Sequence, residues 1–488
     1  MVNGFSYSGN NSIGADDLNA VLSPFIGQEC DLRKLREAAG QVSEEYHRRG
    51  QPLAKAFIPP QKINGGIVSI MIVEGRIGQL IVEGNKNYST LFILRHQLDG
   101  DESAAPTIEG LEKGLLHLNE DFTDLKVTAN FTPGVLSGTT DIHARVDDSV
   151  PVHVTLSSNN YGSDYVSRYR YGVTAEWVNG FIPGSYMALG TLIGDNPSHM
   201  KVFSGSYEFP VNDAGAMVGL SVFDGNFDVG KEFADLGIHN EEISGDLYAR
   251  QPLIRQRGAK LTGKLGFRAA EAKYYLMSEI SSRDKTRVTY LQFQGDRVFA
   301  GGRGLASLTL AKGLGGMFGG TGKGNSFASR FNASNSFFKA NLDLARYQPL
   351  GESFSALVRA SGQWSPDNLL AGEEWLIGGV DSVHGYGLGE GAGDKGCNVS
   401  FSLRANPLSN RESLQLAAFI DYGYAYKRNI FAGSQHKAEL TGVGVGVSSH
   451  LMTIAPTDFR FDIGFPLNPS SNYLKDKPVL YFQAAVRL

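Results

Sequence analysis

The sequence predicts two small α+β modules followed by an all-β antiparallel barrel of sixteen strands built to span a membrane. Three observations carry that prediction. Apolar residues recur every three or four positions in parts of the first 150 residues, and every second position from Pro151 to the end. The connections between the later strands alternate short and long, and their strand count is even, as closed single-chain membrane barrels require. With 60 glycines, 10% aromatic residues and a mean hydropathy of −0.18, the composition suits strands and turns better than helices.

The first module opens with a strand at residues 3–8 and a helix over Asp16–Ile26 that places Leu18, Val21, Leu22 and Phe25 on one face. A second helix starts at Asp31, a residue type suited to capping, and ends at Gly50. Strands follow at Ala54–Ile58 and Ile67–Glu74. The same order then repeats: a strand at Ile77–Glu83, helices at Tyr88–Leu98 and Thr107–Asn119, and a hairpin of Leu125–Phe131 with Thr139–Asp147. Each module is expected to bury one face of a small sheet under two helices.

From Val152–Leu156 to Val479–Val486, sixteen segments alternate like strands. Short connections carry turn residues such as Asn179-Gly180, Arg257-Gly258 and Gly301-Gly302, whereas Asn226–Asn240, Arg268–Thr286, Gly313–Ser334, Pro366–Gly396 and Tyr426–Ala438 read as long loops. A sheet in lipid must close, because every unpaired edge amide costs several kcal/mol (about 2–7). In Val443–Val447 a valine face alternates with glycine, which lines a lumen without filling it. The longest insertion is too glycine-rich for a helix, and its apolar residues Trp375, Leu376, Ile377, Val383 and Tyr386 are expected to fold back against something.

Charge and motif content narrow the function. A net charge of −5 with no basic block gives nucleic-acid binding no support. Cys30 and Cys397 are far apart and read as isolated thiols. The ten histidines lack metal-ligand spacing, no nucleophile or nucleotide motif appears, and Gly313–Gly324 lacks the strand-to-helix context of a phosphate cradle. No enzyme, metal or cofactor is expected.

Several fragments, in order, resemble a known family. Gly9-Asn10, Arg48-Arg49-Gly50, Ala56 to Gln61 and Val73 to Gly78 resemble the first POTRA domain of two-partner secretion transporters (TpsB type), and Val82 to Asn85 resembles the start of the second. The resemblance divides the chain into POTRA domains at 1–75 and 76–149 and a barrel at 150–488 with a long lumen loop at 365–396. It implies an outer-membrane pore, its POTRA domains in the periplasm, that exports one large haemolysin- or adhesin-type exoprotein without ATP. It further implies recognition of that partner's N-terminal secretion domain, contact with outer-membrane lipids and a monomeric pore. An insertase of the same superfamily is the alternative. Met1 to Phe5 shows no signal features, so the chain is expected to start after its signal; family members also carry a plug helix and linker ahead of the first module, missing here.

In this family the long sixth loop carries Val-Arg-Gly-Tyr/Phe, matched here by Val383, His384, Gly385 and Tyr386. A Phe-x-Asp-x-Gly strand, matched by Phe419, Asp421 and Gly423, supplies the aspartate that pairs with the arginine. Histidine stands where the guanidinium is expected. An imidazole offers one ring donor to a carboxylate and ordinarily loses its charge near neutral pH, so the resemblance implies a weaker, pH-sensitive latch.

Overall fold

A computed structural model describes every residue except 52, 98–107, 123, 137–138, 149–150, 409–412, 430–434, 453–454 and 469–476. It divides into two compact units, Met1–Ser149 and Val150–Leu488.

The first module contains β1 (Gly4–Ser8), α1 (Ala15–Leu22), α2 (Leu32–Arg48), β2 (Lys55–Phe57) and β3 (Ile67–Val73). Its sheet runs β1-β3-β2, with β1 parallel and β2 antiparallel to β3. Asp31 caps α2 by accepting from the Lys34 amide at 2.8 Å. Leu35, Ala38, Ala39, Val42 and Tyr46 are buried at helical spacing and turn one stripe toward the sheet. The second module repeats the plan with β4 (Arg76–Glu83), α3 (Thr90–Gln97), α4 (Ile108–Asp121), β5 (Leu125–Pro133) and β6 (Thr139–Asp148), its sheet ordered β4-β6-β5. Leu98 and Thr107, ends of two expected helices, lie outside the described residues.

One glycine makes the repeat legible at atomic scale. Gly9 and Gly84 each leave the first strand of a module with positive φ, and a Cβ on either would collide with a carbonyl of the central strand, Ile72 or Val146. Just after Gly84, the buried Asp148 carboxylate accepts from the backbone amides of Lys86 and Tyr88, at 2.7 and 3.1 Å, and from that of Asn87. Burial alone would raise the pKa of Asp148, but these amide hydrogen bonds outweigh it and hold the carboxyl below its ordinary range. Its contribution to stability is therefore present above the unfolded carboxylate pKa of about 3.9 and is lost as pH falls through the lower folded value. Asp148→Asn is expected to lower the melting temperature of the full chain at pH 7, and the gap should close below about pH 4. Scanning calorimetry across pH checks both statements; a gap independent of pH refutes them.

The second unit is a closed ring of sixteen antiparallel strands. They are β7 (Val152–Asn159), β8 (Arg170–Val178), β9 (Tyr186–Gly194), β10 (Met200–Pro210), β11 (Met217–Asp228), β12 (His239–Gln256), β13 (Ala259–Leu276) and β14 (Glu279–Phe299). The ring continues through β15 (Gly302–Gly313), β16 (Phe338–Pro349) and β17 (Phe354–Trp364). Two short strands, β18 (Trp375–Ile377) and β19 (Gly391–Gly393), then pair only with each other. β20 (Lys395–Ala405), β21 (Gln415–Tyr426), β22 (Lys437–Met452), β23 (Pro456–Pro466) and β24 (Val479–Arg487) complete the ring, and β24 pairs with β7.

Strand parity sorts the side chains into two environments. Ile243, Leu247 and Leu265 point outward, each more than half exposed, where a water-soluble protein would lose stability and a bilayer supplies the missing burial. On the inner face Tyr248 and Tyr290 donate to Glu208 and Asp246 at 3.0 and 2.7 Å, and Arg250 donates to Glu208 at 2.9 Å, a wet wall of mutually satisfied polar groups.

Arg268–Thr286 corrects the sequence reading. It is not a loop: β13 and β14 continue through it and turn at Met277-Ser278, both with positive φ. Its outward positions carry ion pairs instead of apolar residues, Lys273 with Glu241 at 2.9 Å and Arg283 with Glu271 at 2.5 Å, so the hydrophobic alternation stops although the ladder does not.

Candidate functional site: the lumen loop and its seat

Residues 365–394 connect β17 to β20 and turn inward. β18 and β19 form a short stem, and Gly378 and Gly379, at φ +100° and +97°, reverse the chain beyond it in a way β-carbon-bearing residues resist. Ile377, Val383 and Tyr386 are buried against Ala425 and Leu440 of β21 and β22. Leu376 departs from expectation: it alternates away from the wall and stays half exposed.

The seat is a patch of wall from which side chains have been removed. A Cβ on Gly442 would strike the His384 carbonyl, one on Gly464 would lie 2.5 Å from the Gly385 amide, and one on Gly423 would lie 2.7 Å from Val383. Into this space His384 sinks until it is 2% exposed. Its Nδ1 lies 2.6 Å from Oδ2 of Asp421, and its backbone amide donates to the same oxygen at 3.2 Å. Phe419 packs on the imidazole with ring centroids 4.3 Å apart, and Tyr481 meets it edge-on at 5.3 Å. The Tyr481 hydroxyl accepts from the Gly385 amide at 3.0 Å and donates to the Tyr386 carbonyl at 2.9 Å. Tyr386 in turn reaches the Thr441 carbonyl at 2.9 Å. All seven residues singled out from the sequence, Val383, His384, Gly385, Tyr386, Phe419, Asp421 and Gly423, therefore meet in one place.

A second carboxylate completes the environment. Asp462 Oδ2 lies 3.9 Å from His384 Nε2, too far for a hydrogen bond, and accepts from Arg460 Nε at 2.6 Å. Among the described residues His384 Nε2 has no hydrogen-bond partner. The imidazole thus sits between two buried carboxylates and bonds to one.

The root of the loop is held differently. Asp394, fully buried, accepts from Arg330 through Nη1 and Nη2 at 2.7 and 3.2 Å and from the amides of Leu369 and Arg428 at 2.7 Å each. Arg330 also contacts Glu374 at 2.9 Å, while Glu373 lies 2.6 Å from Arg268 and 2.7 Å from Lys339. These are charge-assisted contacts in a site shielded from water.

Comparison with known proteins identifies this architecture. A family model described as haemolysin secretion/activation protein ShlB/FhaC/HecB matches residues 138–449, and a ShlB-type POTRA domain model matches residues 1–75. The chain belongs to the haemolysin secretion/activation protein family. It is a two-partner secretion transporter of the outer membrane, not an enzyme, with two POTRA domains and a sixteen-stranded barrel. The transporter is 24% identical to the heme/hemopexin transporter protein HuxB of Haemophilus influenzae over 458 residues, covering 90% of this chain and 79% of that protein. It is 22% identical to the outer membrane transporter CdiB of Escherichia coli over 498 residues, covering 98% and 81%. Among solved structures, CdiB from Escherichia coli superposes with a TM-score of 0.79 at 19% identity, covering 100% of this chain and 90% of that one. BamA from Haemophilus ducreyi lacking POTRA domains 1–3 gives 0.60 at 14% identity, covering 100% and 99%.

Sequence reasoning missed three parts of the transporter's site: Tyr481, Asp462 and the ionic root. Asp462 had a signal, since Asp462-Ile463-Gly464 repeats the Asp-x-Gly spacing of Asp421-Tyr422-Gly423 on the next-but-one strand. The root had none, because Arg330 and Asp394 lie in separate loops whose partnership follows no spacing rule.

Proposed function

We propose that this transporter secretes one large partner exoprotein of haemolysin or adhesin type through its barrel, without ATP, with displacement of the lumen loop opening the path. The observation that carries the reading is the seat itself: a loop buried in a polar lumen, held at its tip by a small set of bonds centred on His384 and Asp421. The two POTRA domains, in the periplasm, capture the unfolded N-terminal secretion domain of the partner. Their sheets leave β1 and β2, and β4 and β5, as edges, and strand addition to an edge needs backbone amides and no fixed side-chain code. Folding of the emerged chain outside supplies direction. The pore works as a monomer, its outward apolar side chains facing lipid.

Co-expression with a candidate exoprotein tests this. Appearance of that protein in the medium is expected to require the full chain and to stop when it is depleted. Loss of outer-membrane protein assembly on depletion, with the exoprotein unaffected, supports an insertase instead.

A further inference from the structure

On the outer wall of the barrel, one row across five strands is low at its centre and charged at one end. Registration across β10 to β14 aligns Gly205, Val222, Gly245, Ala269 and Arg287. One register step to either side the outward residues are bulkier, with Phe203 and Ile243 on one rim and Leu220, Leu247 and Phe267 on the other. Between the row and the Phe203 and Ile243 rim lies an apolar groove of about 480 Å³, with Val222, Gly245 and Ala269 along it and Arg287 at one end. A Cβ at Gly245 would meet nothing nearer than 3.8 Å, so the floor is open space and not a packing contact.

One end of the groove carries charge. Arg287 donates through Nε to the Phe318 carbonyl at 3.1 Å and through Nη1 to the carbonyls of Ala270 and Thr286 at 3.0 and 2.7 Å. Its position is fixed, and among the described residues its Nη2 has no acceptor and no carboxylate pairs with it. The other charged groups on the rim are Asp224, Glu271 and Lys285. Glu271 is committed to Arg283 and Lys285, whereas Asp224, at the far end, repels an anion and so orients one toward Arg287. Phe318 closes the Arg287 end by packing on Phe267 with centroids 6.0 Å apart, and leaves its own ring and Met317 mostly exposed.

Height places the row. Arg287 lies twelve residues from Phe299, at the short-turn end of β14. At ~3.4 Å per residue and a tilt of ~40° that is roughly 30 Å, the upper edge of an apolar band ~25 Å tall. The charged Glu241, Lys273 and Arg283 lie beyond it.

We propose that this groove is a binding site for a phosphorylated outer-leaflet lipid of the lipid A class, one acyl chain lying over Val222, Gly245 and Ala269 and its phosphate on Arg287. The proposal rests on the reading that the long loops face outward. A guanidinium held by three carbonyls and left without an anion is a preorganised phosphate receptor, and a groove with a glycine floor takes a chain that a flat wall would not.

Native mass spectrometry of the full chain in mild detergent, with equimolar diphosphoryl lipid A and phosphatidylglycerol added, tests the site. A one-to-one lipid A adduct is expected. Arg287→Gln should reduce it about tenfold, Arg287→Lys should restore part of it, and Gly245→Phe, or the milder Gly245→Val if the former does not fold, should remove it. Equal adducts in all variants overturn the site, and retention of phosphatidylglycerol in preference to lipid A overturns the ligand class. Failure of the orientation reading would appear separately, as protease cleavage of the 229–238 loop only in permeabilised cells.

Discussion

Replacing Asp421 by alanine is expected to raise open-pore conductance, and replacing His384 by arginine to lower it. Asp421 is 1% exposed and receives both the imidazole and the backbone amide of His384 through one oxygen. Its removal leaves two donors stranded in a seat that the wall glycines shape too closely for free hydration. Breaking a buried pair in this way costs about 3–5 kcal/mol, enough to shift a closed-to-open ratio by about two to nearly four orders of magnitude. Arginine acts in the opposite direction. A guanidinium is longer than an imidazole and permanently charged, and Asp462 already waits 3.9 Å from His384 Nε2 with no bond to it. One side chain would then join β21 to β23 through both carboxylates. Planar-bilayer recordings of the purified proteins distinguish the cases. Equal conductance in native chain, Asp421→Ala and His384→Arg would mean that the His384–Asp421 pair contributes nothing to closure, leaving the packing of Ile377 and Val383 and the bonds of Tyr386 to hold the loop.

The contrast between tip and root also explains what the sequence made legible. Modules and barrel could be read because helical and strand periodicities are imposed by burial on one face, and burial leaves a mark at every third, fourth or second residue. That mark vanished at Arg268–Thr286, where both faces of β13 and β14 carry polar residues and cross-strand ion pairs replace apolar contacts. The tip was legible through family motifs, and the structure brings their residues together. The exposure of Leu376 was not, since a three-residue strand is too short for its parity to be read before its partner is known. Asp394 looked like one more polar residue in a glycine-rich run. Only the fold brings Arg330, 64 positions earlier, onto it.

Asp394→Ala is expected to lower the temperature at which the folded barrel loses its compact gel mobility by roughly 5–10 °C, with Asp421→Ala changing it far less. The reason lies in what each aspartate joins. Asp421 holds a tip hinged beyond two glycines of positive φ, so its loss frees a few residues. Asp394 holds a guanidinium from the β15–β16 connection and amides from the connections that precede and follow β20 and β21, so four acceptor bonds tie three loops at one oxygen pair. Alanine there strands the Leu369 and Arg428 amides and leaves Arg330, barely exposed, with Glu374 as its one carboxylate among the described residues and the Leu369 carbonyl as a neutral acceptor. If the root is a fixed pivot, Arg330→Met combined with Asp394→Ala should cost less than the sum of the single changes, because the second change removes a charge that the first left unpaired. Full additivity would instead place Arg330 and Asp394 in independent roles. A normal melting temperature with a leaky pore in Asp394→Ala would assign the root to the moving part of the loop. A fixed root also sets the range of motion: with residues 365–374 anchored by Asp394, Glu373 and Glu374, the segment free to leave the lumen wall is the one between Trp375 and Gly393, and its release needs the bonds around His384 to break and those around Asp394 to stay.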